Sequence, residues 1–401
     1  MATLLATLTF LLIASPAAQA SQTVRISLLS LFKPGAIEVR VAAGEAAIDA
    51  AGLSSERHVT HSESIRIRVS SGRLSVARGN PHSSNPSVLV NSVRIAPVGA
   101  STLELILPGR IKRIVRGMVT VDPVTEDRGR LRIVLTAGRE DAVASVVAAE
   151  TSERAPEALK ALAVVVRTFM ISHEDRHGSE GFDFCDTTHC QLYRGEQDLT
   201  DARSARTVFD AVAATAGEFL SYGGLAIEGH YSAVCGGISV TPSMVWGGSE
   251  RYPYKQIICL WCRASRFARW ARSAGVSKIL TAVSQAIGTK LSDAAQFRPE
   301  TDQPDGFVRS VTVLDGDRRT SLGVDAFRRA IGLRLGWNTV LSPTFTIERS
   351  GSRFIFRGRG FGSQVGLCEA GAFAQARAGR GYRQILKYYY PQAEFGELTH
   401  D

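Results

Sequence analysis

The sequence predicts an α+β fold, a mixed β-rich N-terminal scaffold followed by helices, on three observations. From residue 23 to about residue 135, short runs such as VRISLL, AIEVRVAAG, SIRIRVSSGRLSVA, STLELILPG, MVTVD and RLRIVL are separated by Gly, Pro, Asn and Ser, the pattern of short strands and turns. Helical periodicity takes over only after that stretch. Strands and helices then follow in mixed order, without the regular alternation that a doubly wound parallel sheet requires.

The first 20 residues, MATLLATLTFLLIASPAAQA, combine an apolar run with an Ala18-Gln19-Ala20 ending. That is the pattern of a cleaved secretory signal, although its first part lacks Lys and Arg. A secreted or periplasmic location, within the cell envelope, is therefore expected. No later segment approaches the roughly 20 apolar residues that a membrane helix needs, so no transmembrane anchor is expected after signal cleavage.

A chain of 401 residues with 44% hydrophobic residues can fill a substantial core, which excludes a disordered polymer. Lys plus Arg exceed Asp plus Glu by 47 to 38, a formal charge of +9. For an exported chain this points to an anionic envelope polymer or a membrane surface before nucleic acid, and a net charge also serves solubility.

The first helix with a clear apolar face is expected over residues 156–178. Pro156 suits the first helical position, Glu157 suits the dipole-positive first turn, and Leu159, Leu162, Ala163, Val166 and Met170 recur at three- and four-residue spacing. Lys160 and Arg167 share another face, and Gly178 is placed to end the helix. The chain then enters FDFCDTTHCQLYRG (182–195), a loop dense in Cys, His and Asp. Further on, a helix is expected from Asp201 to about Gly217, capped by Thr200 or Asp201, then a hairpin around Gly223-Gly224. Helices over 266–287 and 325–333, a strand over 344–356, and closing helices over 369–378 and 382–389 complete the reading. Residues 79–87, GNPHSSNPS, read as a loop.

PEALKALAVVVRT with FDFCDTTHCQLYRG resembles the SpoIID/LytB family, whose typical members carry EALKAQAVAART followed by a D-x-C-D-T-T-x-x-Q-x-Y-x-G loop. The resemblance extends to VVAAE ending at Glu150, to HYSAVCGG (230–237), similar to the family's FHSTSGG, to GRGFGSQVGLCEAGA (358–372), similar to GRGWGHGVGMSQYGA, and to YRQILKYYYP (382–391). It covers most of the mature chain, with residues 21–140 as the β-rich N-terminal part and 141–395 as the SpoIID-like core. What it implies is an exported protein that remodels peptidoglycan, either a lytic transglycosylase cleaving glycan strands or a noncatalytic wall-binding protein that enhances a cell-wall amidase.

By that resemblance Glu150 is the catalytic acid. The apolar run AVASVVAA ahead of it would desolvate its carboxyl and raise its pKa, as a general acid near neutral pH requires. An ordinary glycosidase needs two carboxyl groups flanking the bond. A lytic transglycosylase can use one, because the C6 hydroxyl of the muramic acid attacks its own C1, and intramolecular attack is worth about 7–11 kcal/mol of barrier. Glu157 is the second catalytic candidate, though the helix dipole already explains a first-turn Glu. Lys160 and Arg167 are candidates to pair with lactyl carboxylates, and Tyr193 and Gln364 to support or bind substrate. The chain departs from the family pattern at Leu162, at Ser363-Gln364 in place of His-Gly, and at Glu369 in place of Gln.

Six cysteines, at 185, 190, 235, 259, 262 and 368, form an even count in a chain read as exported, which permits disulfides. Cys185, His189 and Cys190 could ligate zinc, an open site unless a fourth residue joins, and the alternative is a Cys185–Cys190 disulfide. The transglycosylase chemistry itself requires no cofactor. Cys259-Leu-Trp-Cys262 has no second C-x-x-C to complete a zinc or redox motif. Cys235 stands where typical family members have Ser and is expected to bridge to Cys259 or Cys262, closing a loop of about 25 residues worth roughly 3 kcal/mol.

Overall fold

A computed structural model describes residues 22–50, 57–61, 63–79, 87–127, 129–301 and 306–398. The expected signal segment and most of the loop expected at 79–87 lie outside the described residues.

The N-terminal part forms two sheets, as the alternating runs predict. Thr23–Ser27 pairs antiparallel with Leu131–Gly138 inside a seven-stranded sheet, while Ala36–Ala43 lies between Ser64–Ser70 and Thr102–Leu107 in a six-stranded one. Alternate residues such as Val39, Ile65, Ile67, Leu103 and Leu105 are wholly buried, because a strand's side chains turn to one face every second residue.

Eight α-helices follow among the described residues. They are α1 (Arg139–Glu150), α2 (Pro156–Ser172), α3 (Ala202–Ala213), α4 (Pro242–Trp246), α5 (Val276–Ile287), α6 (Val324–Leu335), α7 (Glu369–Arg377) and α8 (Tyr382–Tyr389). Helix α2 is buried along nearly its whole length and packs against α1, α3, α7 and α8, so one core runs from both sheets through this helix. None of the helices is long and apolar enough to cross a membrane.

Several local expectations hold. Asp201 caps α3 by accepting the Ser204 N–H at 2.7 Å, and Gly223-Gly224 turns a hairpin pairing Ser221 with Ala226. Three boundaries differ. Helix α2 stops at Ser172, with the His173 N–H closing on the Phe169 carbonyl, and residues 173–177 turn away so that His177 faces the Cys loop. Trp270–Gly275 is a strand paired with Arg353–Arg359, not the first half of a helix, because α5 begins only after Gly275. The expected strand over 344–356 is the hairpin Thr344–Ser350 with Arg353–Arg359.

Residues 270–356 build a second hydrophobic core of their own, with α5 and α6 over short antiparallel sheets and Phe297, Phe327, Phe345, Phe354 and Phe356 in mutual edge or stacked contact. This unit is inserted between the Cys259/Cys262 turn and the Gly-rich segment that returns the chain to the main core.

Candidate active site and metal centre

Glu150 is the last residue of α1, and the apolar run that precedes it is the buried face of that helix. Its carboxyl is partly buried. The Tyr231 hydroxyl donates to Glu150 Oε1 at 3.0 Å, and the Leu192 backbone N–H donates as well. Burial raises the Glu150 pKa above the ordinary carboxyl value, and these two donors only partly counter it.

Tyr231 is brought there by a two-residue parallel pairing with Leu367 and Cys368, which sets Glu369, the first residue of α7, beside the same carboxyl. Glu369 is 6% exposed, and burial followed by the repulsion of Glu150 drives its pKa well above the ordinary range. Both effects favour the protonated form of Glu369 over that of an ordinary carboxyl. Gln191 hydrogen-bonds Tyr231 from the loop side and holds the Val166 carbonyl at 3.3 Å.

The Asp-rich loop is fixed by its own acidic residues. Asp183 accepts the Arg25 backbone N–H at 2.7 Å and its guanidinium at 2.6 Å, and Asp186 accepts the Leu29 and Ser30 N–H groups at 2.7 and 3.2 Å. Phe184–Cys185 thereby joins the first strand in parallel. Gly195, at φ +68°, passes so close to the Ile114 carbonyl that a Cβ would collide with it.

Cys185, His189 and Cys190 lie together, and His177, which sequence reasoning missed, is the fourth residue of the cluster. The four ligand atoms lie within 4.8 Å of one another. Cys190 Sγ is 3.4 Å from His177 Nε2, and both sulfurs are 3.7 Å from His189 Nδ1. His177 Nδ1 meets Glu180 Oε1 at 2.7 Å, which turns Nε2 toward the thiols, the arrangement of a carboxylate-oriented metal ligand. The sulfurs are 3.3 Å apart, far beyond the roughly 2.05 Å of a disulfide. The hydrogen bond with Cys190, joined by Thr187 and His189, pulls the Cys185 thiol down to about 4 against the opposing effect of burial. Two thiols and two imidazoles in this proximity fit a closed tetrahedral zinc site.

The other expected site residues are committed elsewhere. Arg167 is wholly buried and holds Glu140 with Nε and Nη2 at 2.7 and 2.5 Å while donating to the Glu218 carbonyl, so it does not face a cleft. Glu157 pairs with Lys160 at 2.7 Å and accepts the Tyr382 N–H at 2.8 Å, clasping α2 to α8. Desolvation opposes these bonds, but together they hold Glu157 below the ordinary carboxyl value, which is wrong for a general acid. Tyr193 is buried beside Ser145 of α1. Gln364 is 2% exposed at φ +66° and brackets the Gly-rich segment, donating to the Cys235 and Arg359 carbonyls and accepting from Thr344. The six cysteines are all unbridged, and the expected Cys235–Cys262 partners are 3.6 Å apart, because four thiols rather than two meet there.

Fold and site together define an α+β protein built around a carboxyl pair at the junction of α1 and α7. The family model described as stage II sporulation protein, SpoIID, matches residues 127–222, which hold α1, α2 and the Cys/His loop. A protein of Brachyspira hyodysenteriae described as uncharacterized is 30% identical over 253 residues, 63% of this chain and 64% of that protein. Stage II sporulation protein D of Bacillus subtilis is 29% identical over 272 residues, 64% of this chain and 74% of that protein. The amidase enhancer of Bacillus subtilis is 27% identical over 279 residues, 59% of this chain and 37% of that protein. These matches support the SpoIID/LytB family for this chain.

Proposed function

We propose that this protein has a cell-wall function and cleaves peptidoglycan glycan strands as a lytic transglycosylase, with Glu150 as acid and base. The observation that carries the reading is the seat of Glu150, a desolvated carboxyl oriented by the Tyr231 hydroxyl and the Leu192 N–H. Protonated Glu150 gives its proton to the glycosidic oxygen as the C1–O bond breaks. The C6 hydroxyl of the same muramic acid bonds to C1, and its proton passes to the Glu150 carboxylate, which regenerates the acid without water.

Glu369 fits this scheme as a neutral group. Where typical members of the family carry Gln, a carboxyl whose protonated form is favoured by burial offers an acceptor and one donor, close to the acceptor and two N–H donors of a side-chain amide. Zinc, when bound by His177, Cys185, His189 and Cys190, would supply rigidity. Those residues flank Gln191 and Leu192, which hold Tyr231 and Glu150, so ligation would steady the acid without touching substrate.

The experiment is digestion of glycan strands, with and without stem peptides, followed by mass analysis. Anhydro-muramic products from the wild type and none from Glu150→Gln are expected, with folding intact in both. A second reading, enhancement of a cell-wall amidase, draws support from the relative named amidase enhancer. Glycan binding and stimulated amidase activity that persist in Glu150→Gln, with no products from the wild type, would select it.

A further inference from the structure

Four cysteines from three distant segments meet behind the carboxyl pair. Cys235 follows the Tyr231–Ser232 strand, Cys259 precedes the short 3-10 turn Trp261–Ala264 and Cys262 lies within it, and Cys368 is the N-cap of α7, one residue before Glu369. Their ligand atoms all lie within 4.8 Å of one another, and none of the four residues is more than 2% exposed.

The spacing discriminates between kinds of chemistry. A disulfide brings its sulfurs to about 2.05 Å. A single zinc ion with Zn–S bonds of about 2.3 Å sets its tetrahedral sulfurs about 3.8 Å apart. Cys235 and Cys262 Sγ are 3.6 Å apart, close to that tetrahedral edge, and the 4.8 Å ceiling on every pair leaves room for one ion and not for a multi-iron cluster.

The surroundings are those of thiolates. The backbone N–H groups of Cys235 and Gly371 point at Cys368 Sγ at 3.3 and 3.4 Å, and the Tyr389 hydroxyl lies 3.3 Å from Cys259 Sγ. Such donors offset the negative charge that four thiolates leave around a divalent ion. Gly371 keeps the space open, since a Cβ there would strike the Tyr389 hydroxyl and come within 2.9 Å of Cys259 Sγ.

We propose that Cys235, Cys259, Cys262 and Cys368 form a second, all-thiolate structural zinc site. Four S–H protons leave as four Zn–S bonds form, with no change of oxidation state. The ion ties together the segments that deliver Tyr231 and Glu369 to Glu150, and it anchors the turn from which the inserted unit departs. The inference stands on the sulfur geometry and is independent of the proposed glycan chemistry.

The test uses the full chain, exported from its host, purified without chelator and loaded with zinc alone. Zinc content and X-ray absorption at the zinc edge are then measured. Two ions per chain with an average of three sulfurs and one nitrogen are expected if both clusters fill, or one ion with four sulfurs if only this one does. His177→Ala should convert the first spectrum into the second. An average of two sulfurs per zinc, or no bound zinc, overturns the proposal, as does nonreduced peptide mapping that finds a bridge among these four cysteines.

Discussion

The hydroxyl of Tyr231 donates to Glu150 Oε1 at 3.0 Å across 81 residues of sequence. That bond stabilises the ionised form of a carboxyl whose pKa burial raises. In the proposed reaction the protonated form starts catalysis, so activity should fall as pH rises through the Glu150 pKa. Tyr231→Phe removes the donor and raises that pKa, and the alkaline limb of the kcat/KM profile should move to higher pH. A hydrogen bond to a charged group is worth about 1.5–3 kcal/mol, so the loss of rate should be on the order of 10- to 100-fold. An unmoved alkaline limb would remove Tyr231 from the mechanism.

Glu369→Gln should leave the same limb in place. Burial and the Tyr231 and Leu192 donors govern the Glu150 pKa, whereas the repulsion recorded between the pair is that of Glu150 on Glu369, so a neutral amide at 369 leaves the setting in which Glu150 titrates unchanged. Stability carries a second signature. Both carboxyls have folded pKa values raised above the ordinary carboxyl value, so the stability they contribute is complete below that value and is lost as pH rises through the raised ones. The variant should lose less Tm than the wild type between pH 4 and neutrality, as followed by thermal denaturation, whereas parallel curves would contradict the coupling.

Arg167→Ala should act on stability alone. The wild-type guanidinium is wholly buried against the Glu218 carbonyl and against Glu140, whose side chain is 39% exposed, and losing a hydrogen bond to a charged group costs about 1.5–3 kcal/mol. Urea denaturation measures that loss. Glycan affinity and its slope with salt should match the wild type at temperatures where the variant is folded, and an altered salt slope would return Arg167 to the cleft.

Glu180→Gln tests the orientation of His177. Losing a carboxylate that orients a metal ligand typically weakens metal affinity by 10- to 100-fold, and about that factor is expected in zinc competition against a chromophoric chelator. Equal affinity in the two proteins would mean that His177 is held by its stack on Phe182 alone.

What local chemistry governs was legible in the sequence. The alternating β-rich scaffold, the buried face of α2, the Asp201 cap, the Gly223-Gly224 hairpin and the two closing helices each depend on residues within a few positions of one another. Glu150 and three of the four loop ligands were reachable through motifs of the same short range. Tertiary structure alone decided the rest. Glu369 reaches Glu150 only because Tyr231 pairs with Leu367 from a distant segment, and His177 joins the Cys185, His189 and Cys190 cluster only because α2 ends at Ser172 rather than at Gly178. Likewise Lys160 and Arg167 share a polar pattern, yet one sits at the α8 clasp and the other in the core, since amphipathic spacing marks a face without saying what will cover it. The four-cysteine convergence is the plainest case: 24, 3 and 106 residues separate successive members, and no periodicity spans such gaps, so only packing of the finished fold could bring those sulfurs within bonding reach of one ion.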